Sequence, residues 1–152
     1  MPDRTTAPAR GMHEMTPREI TETVRAGFAG GIGIEFTETT GDVVRAQWKL
    51  APSMHQAHGI VHGGAYCTVV ESLASIGASV WFGPSGRVVG VSNTTDFLRA
   101  QDEGIQFGEA LPLHRGRSQQ LWQVFVNDTH GILVARGQVR FQNLRKADND
   151  PA

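Results

Sequence analysis

At 152 residues the chain has room for one domain with a substantial core and too little for two. Its 14 basic and 15 acidic side chains leave a formal charge of −1, which excludes bulk attraction to nucleic acid or an anionic membrane, so any recognition must be local. A single cysteine, Cys67, excludes an internal disulfide framework, and no secretory-type apolar segment opens the sequence, so a cytoplasmic setting is expected.

Residues 1–15 mix Pro, Arg, Thr and Met without period and read as a disordered leader. Thr16-Pro17-Arg18-Glu19 then combines a capping box with proline at the first helical position, and Ile20, Val24 and Phe28 follow at i, i+4 and i+8. This predicts a short amphipathic helix ending at Gly30-Gly31. Ile34 to Thr39, a turn at Gly41-Asp42 and the alternating Val44, Ala46, Trp48 and Leu50 read as a hairpin. Residues 51–61 form a loop, and a long helix runs from Gly63 or Gly64 to Gly83-Pro84. Strands are expected at about 87–98, 105–115, 117–127 and 132–143. In the last of these Arg136, Gln138, Arg140 and Gln142 alternate with Ala135, Gly137, Val139 and Phe141, as in a sheet with one wet face. Residues 16–145 thus make a single α+β domain whose antiparallel sheet wraps a long helix, followed by a flexible tail at 146–152.

The long helix is apolar enough to raise the question of a membrane span, but Glu71 and several small polar residues argue against one. Glu71 is the sole charged residue from Gly63 through Gly86. An acid on an otherwise apolar helix must find partners or change its protonation, which marks it for chemistry. It shares a face with Gly64, Cys67, Thr68 and Ser75, all small or weakly polar, whereas Tyr66, Val70, Leu73, Ile76 and Val80 tend to the other side. Ser75, four residues on, can hydrogen-bond the carboxylate or a water it holds. The plain structural alternative is an ion pair with Arg87 or Arg99.

At the start of the same helix, Gly63 and Gly64 expose main-chain N–H groups that would polarise an acyl carbonyl, unless the pair serves only as a tight turn. Eight residues of helix separate Gly63 from Glu71, about 12 Å along the axis, too far for both to reach one carbonyl. If both act on one substrate they come from different subunits, so at least a dimer is expected. His55, His58 and His62 are spaced too irregularly to place their rings on one face, and no metal site is expected. Cys67 lacks the positive neighbour a nucleophilic thiol needs. The turn His114-Arg115-Gly116-Arg117-Ser118-Gln119, joined by Arg99, suits phosphate contacts, a solvated basic turn being the alternative.

Gly59-Ile60-Val61-His62-Gly63-Gly64-Ala65 with Glu71-Ser72 after it, Val88-Val89-Gly90, and Pro112-Leu113-His114-Arg115-Gly116 running into Leu121-Trp122-Gln123-Val124 resemble the hot-dog-fold acyl-CoA thioesterases over about residues 30–145. The similarity is to the branch holding the 4-hydroxybenzoyl-CoA thioesterases of the Arthrobacter type, the phenylacetic-acid-pathway thioesterases and the 1,4-dihydroxy-2-naphthoyl-CoA thioesterases. The resemblance implies that Glu71 acts as nucleophile or general base, that the Gly63 N–H polarises the thioester carbonyl, that Gln56 and His62 orient carbonyl and leaving sulfur, and that Ser75 assists the acid. It implies a path for CoA along Gly64, Gly90, Phe97, Leu98, Arg99, Ala100 and the turn from His114 to Gln119, with dimers paired into tetramers. The Glu separates the chain from the phenylacetic-pathway type; Ser75 and the Val-Val-Gly and Pro-Leu-His segments lean toward the naphthoyl type, and Phe97 toward the hydroxybenzoyl type. The expected activity is hydrolysis of an aromatic or medium-sized acyl-CoA without metal or organic cofactor. A non-catalytic acyl-CoA-binding module on the same fold is the alternative, and a dehydratase of the same architecture the enzymatic runner-up.

Overall fold

A computed structural model describes residues 10–146. Of the leader expected over 1–15, residues 1–9 lie outside this range; Met12–Glu14 form a 3-10 turn, and Met12 and Met15 pack against the core, so this stretch is ordered. Of the expected tail, only Lys146 is described, its N–H bonded to the Ser85 carbonyl.

Helix α1 (Pro17–Arg25) begins as its capping box dictates: Thr16 accepts from the Glu19 N–H at 3.3 Å and Glu19 accepts from the Thr16 N–H at 2.8 Å. The Thr16 N–H and, at 3.0 Å, the Thr16 hydroxyl both donate to the Glu19 carboxylate and hold it below its usual range. The helix ends at Arg25, five residues before the expected stop at Gly30-Gly31. Gly27 is extended and a 3-10 turn at Phe28–Ile32 follows, so Phe28 leaves the helical stripe.

Strands β1 (Glu35–Thr39) and β2 (Val44–Lys49) form the expected hairpin. Helix α2 (Gly63–Phe82) is followed by β3 (Gly86–Phe97), β4 (Ile105–Arg115), β5 (Gln119–Asn127) and β6 (Leu133–Arg145). The six strands form one antiparallel sheet in the order β1-β2-β4-β5-β6-β3. This sheet wraps α2, as expected. Tyr66, Val70, Leu73 and Ile76 are buried against inward residues such as Val124, Val139 and Phe141. Trp122, fully buried, lies on Gly77, where a Cβ would come within 2.5 Å of the indole ring. By length and composition α2 could cross a membrane; here it is the core helix of the sheet.

The edge strand β3 departs from the rest. Its inner partner is β6 alone, and eight of its twelve residues are exposed, including Val89 and Val91. Its outer edge is unpaired within the protomer.

Candidate active site

His62 caps α2, its Nδ1 accepting from the Gly64 N–H at 2.8 Å, which leaves the neutral ring's proton on Nε2. The Gly63 N–H makes no hydrogen bond among the described residues, so it remains a free donor at the positive end of a twenty-residue helix. The Phe97 ring lies against Gly63 so closely that a Cβ there would come within 2.4 Å of it, and it makes a tilted contact with Tyr66 at 6.2 Å between centroids. Burial raises the Tyr66 phenol above its usual range, and its oxygen accepts from Gln106 at 3.0 Å.

Glu71 lies about two turns further along. In the protomer it is exposed rather than buried, and it forms no ion pair with Arg87 or Arg99. Its Oε2 accepts from Asn93 Nδ2 at 3.1 Å; Asn93 also donates to the Cys67 carbonyl at 3.0 Å and accepts from Thr95 Oγ1 at 2.7 Å. Ser75 makes no hydrogen bond to the carboxylate: Asn93, across on β3, performs the anchoring expected of it. Gly90 also belongs to the acid's surroundings, since a Cβ there would sit 2.8 Å from Oε1 and push the carboxylate away. Asn93 and Thr95 are not among the residues that the sequence motifs mark. The signal was present in Ser92-Asn93-Thr94-Thr95-Asp96, a strand with polar side chains on both faces and therefore no apolar alternation to assign it to a core.

Beside the helix start, a groove of about 450 Å³ runs between Gly64, Ala65 and Thr68 on α2 and Phe28, Ile32 and Met54 opposite. Its volume lies in the range of small-molecule pockets. His55 and His62 both border it, but His55 is tied to the Asp102 carbonyl at 2.7 Å and His62 to the helix cap, while His58 is exposed. Among the described residues no three His, Cys, Asp or Glu side chains converge as metal ligands would. Gln56 folds onto its own loop, its side-chain oxygen accepting from the His58 N–H.

The two stretches expected to hold CoA are not neighbours in one protomer. Phe97, Leu98, Arg99 and Ala100 lie exposed at the N-terminal end of α2, with Leu98 and Arg99 N–H groups bonded to the Val134 carbonyl. The 114–119 turn is at the other end. Asn143 donates to its Gly116 carbonyl at 2.9 Å and bonds Gln120, which in turn reaches the Ala78 carbonyl. Arg115 is engaged structurally, ion-paired to Asp42 at 2.8 Å and set over the Trp81 ring at 5.5 Å, where it fastens the β1–β2 turn to the end of α2. His114, Arg117 and Ser118 remain exposed, and Gln119 accepts from Arg140 at 3.2 Å.

The sequence matches the Thioesterase superfamily over residues 58–135, the stretch from the loop before α2 to the start of β6. It is 49% identical over 124 residues to a candidate esterase of Mycobacterium tuberculosis, Rv1847, covering 80% of this chain and 89% of that one. The solved structure of the same Mycobacterium tuberculosis protein superimposes with a TM-score of 0.76 over 79% of this chain and 98% of that one. AziG of S. sahachiroi, 46% identical, superimposes with a TM-score of 0.78 over 79% of this chain and 98% of its own. The proofreading thioesterase EntH of Cronobacter turicensis is 30% identical over 117 residues, 77% of this chain and 85% of that protein. A free helix N-terminus, an acid on the same helix and this sequence kinship agree, and the chain belongs to the thioesterase superfamily as a thioester hydrolase of hot-dog fold.

Proposed function

We propose that this protein hydrolyses an aromatic or medium-sized acyl-CoA to the free acid and CoA, at sites that two copies of the chain build together, with no metal or organic cofactor and in the cytoplasm. The observation that carries the reading is the layout of α2: a free Gly63 N–H beside a groove, and an exposed Glu71 on the same helix but about 12 Å further on. One carbonyl cannot meet both. A second copy joined through the open β3 edge, antiparallel and about a two-fold axis, would bring the start of one β3 beside the end of the other. The same operation that carries Glu71 toward the partner's Gly63 would carry one copy's 114–119 turn toward the other's Phe97–Ala100, so two separate mismatches in the protomer are answered by one pairing. Pairs assembled further into a tetramer are compatible with this arrangement.

In such a site the Gly63 N–H and the helix dipole stabilise the negative charge that develops on the thioester oxygen, an effect worth about 3–4 kcal/mol per donor in comparable sites. The Glu71 carboxylate then either attacks the carbonyl carbon, expelling CoA thiolate and leaving an anhydride that water opens, or takes a proton from a water that attacks in its place. Both routes yield one acid and one CoA thiol. In this reading His62 and Gln56 orient the carbonyl and sulfur, Gln56 through its amide NH2 because its oxygen is held by the His58 N–H, and Gly64 lines the groove where the acyl group enters. The groove's size of about 450 Å³ supports one or two fused rings or a medium chain, with 1,4-dihydroxy-2-naphthoyl-CoA the first substrate to try and hydroxybenzoyl-CoA the second.

Free-thiol release from a panel of acyl-CoAs tests this. Fast turnover of an aryl ester that falls at least a hundredfold in Glu71→Ala, with KM changed little, is the expected outcome. A Glu71→Ala enzyme with near-native turnover would overturn the role of the acid, and CoA-ester binding without product in the native protein would overturn hydrolysis.

A further inference from the structure

We infer that Phe28 is the specificity wall of the acyl groove, contacting the distal part of a flat or bulky acyl group and discriminating it from a short one; the inference rests on the thioesterase reading above. Phe28 is 92% exposed, by far the most exposed large apolar residue of the described chain. It is not a loose end. Its 3-10 turn is fixed by Ala29 and Ile32, both packed against the core, and closed by a left-handed Gly33 with φ of 71°. The ring is therefore held outward by an anchored segment, and it borders the groove that opens beside Gly64. A phenyl ring has some 150–250 Å² of surface to bury, so one held in water beside a groove is poised for an apolar occupant.

The chemistry of the walls selects which part of the substrate that occupant is. No Asp, Glu, Lys or Arg lines this groove, so it offers no counter-charge for the phosphates of CoA. Arg99, exposed near the start of the helix, and Arg117, at its other end, make no ion pair among the described residues, and both lie outside the groove. Ile32, Met54 and Ala65 supply apolar surface facing the ring, and Met54 is itself 7% exposed, giving a firm floor. An uncharged acyl group enters from the Gly63–Gly64 end, where its carbonyl meets the free N–H, and its far end meets Phe28.

The test compares kcat/KM for an aryl ester such as phenylacetyl-CoA with that for butyryl-CoA in the native enzyme, Phe28→Ala and Phe28→Leu, with the mass of each in solution measured by light scattering. The aryl-to-butyryl ratio is expected to fall about tenfold in Phe28→Ala, equivalent to about 1.4 kcal/mol, and less in Phe28→Leu, with masses unchanged. An unchanged ratio in an active enzyme overturns the inference while leaving hydrolysis intact. A lowered mass with an unchanged ratio overturns it in favour of a second copy covering Phe28. A native enzyme inactive on every ester removes the thioesterase reading and this inference with it.

Discussion

A carboxylate performs chemistry only if something holds it where the reaction happens. For Glu71 that something is Asn93, which reaches from β3 to both the acid and the backbone of the helix carrying it, while Gly90 keeps space free for the other oxygen. Asn93→Ala should therefore lower kcat ten- to a hundredfold, the cost of one hydrogen bond to a charged group, with KM and melting temperature little changed. An equal fall in melting temperature and kcat would instead make Asn93 a structural residue. The acid itself was legible because it interrupts a long uncharged stretch. Its partner was not: hydrogen bonds between residues twenty-two positions apart depend on how β3 passes α2, which no local pattern records.

Helix and strand placement could be read closely, because the long elements carry strong periodicity and clear stops. The expected 63–83 helix and the strands near 87–98, 105–115, 117–127 and 132–143 differ from the observed elements by about two residues at their ends. The failure at α1 has a specific origin. Ile20, Val24 and Phe28 satisfy a helical stripe, but Gly27 is a poor helix former and the chain is extended there, so the stripe ends before Phe28. The basic turn divides in the same way: Arg115 is drawn into a contact with Asp42 and Trp81, residues remote in sequence, while Arg117 stays exposed. Packing of elements also has its own test. In Gly77→Ala the added methyl gains about 1 kcal/mol of helix propensity but collides with the boxed-in Trp122 ring, and overpacking of that kind costs about 1–3 kcal/mol. The steric term wins, and thermal denaturation should show a melting temperature lower by several degrees; a rise would mean the ring can move aside.

At the level of the whole molecule, the open β3 edge and the split between Gly63 and Glu71 point to the same assembly. Val91, 53% exposed at the bulge of β3, lies in the middle of that edge, and a lysine there would set two like charges against each other across a two-fold pairing. Val91→Lys should halve the mass in solution and abolish turnover together, while the protomer keeps its far-ultraviolet dichroism. A fully active monomer would dissolve the shared-site geometry.

The polar cluster at the far end of the sheet bears on all of this. Along β5 and β6, inward and outward residues alternate, so sliding one strand past the other by a single residue would turn the apolar set to water and is rejected at once. A slide by two residues preserves the alternation, and oil-like burial alone cannot tell it from the native arrangement. Gln120 and Asn143 can. Both are buried, bonded to each other at 2.8 Å and, through Gln120, to Trp122 and the end of α2, so the two-step slide would strand buried amides without partners. They act as a vernier for the sheet: the coarse scale is hydrophobic, the fine scale is amide to amide. Because β3 takes its position from β6, with Asn93 opposite Val139, that fine scale also determines whether Asn93 arrives beside Glu71 or one step away from it.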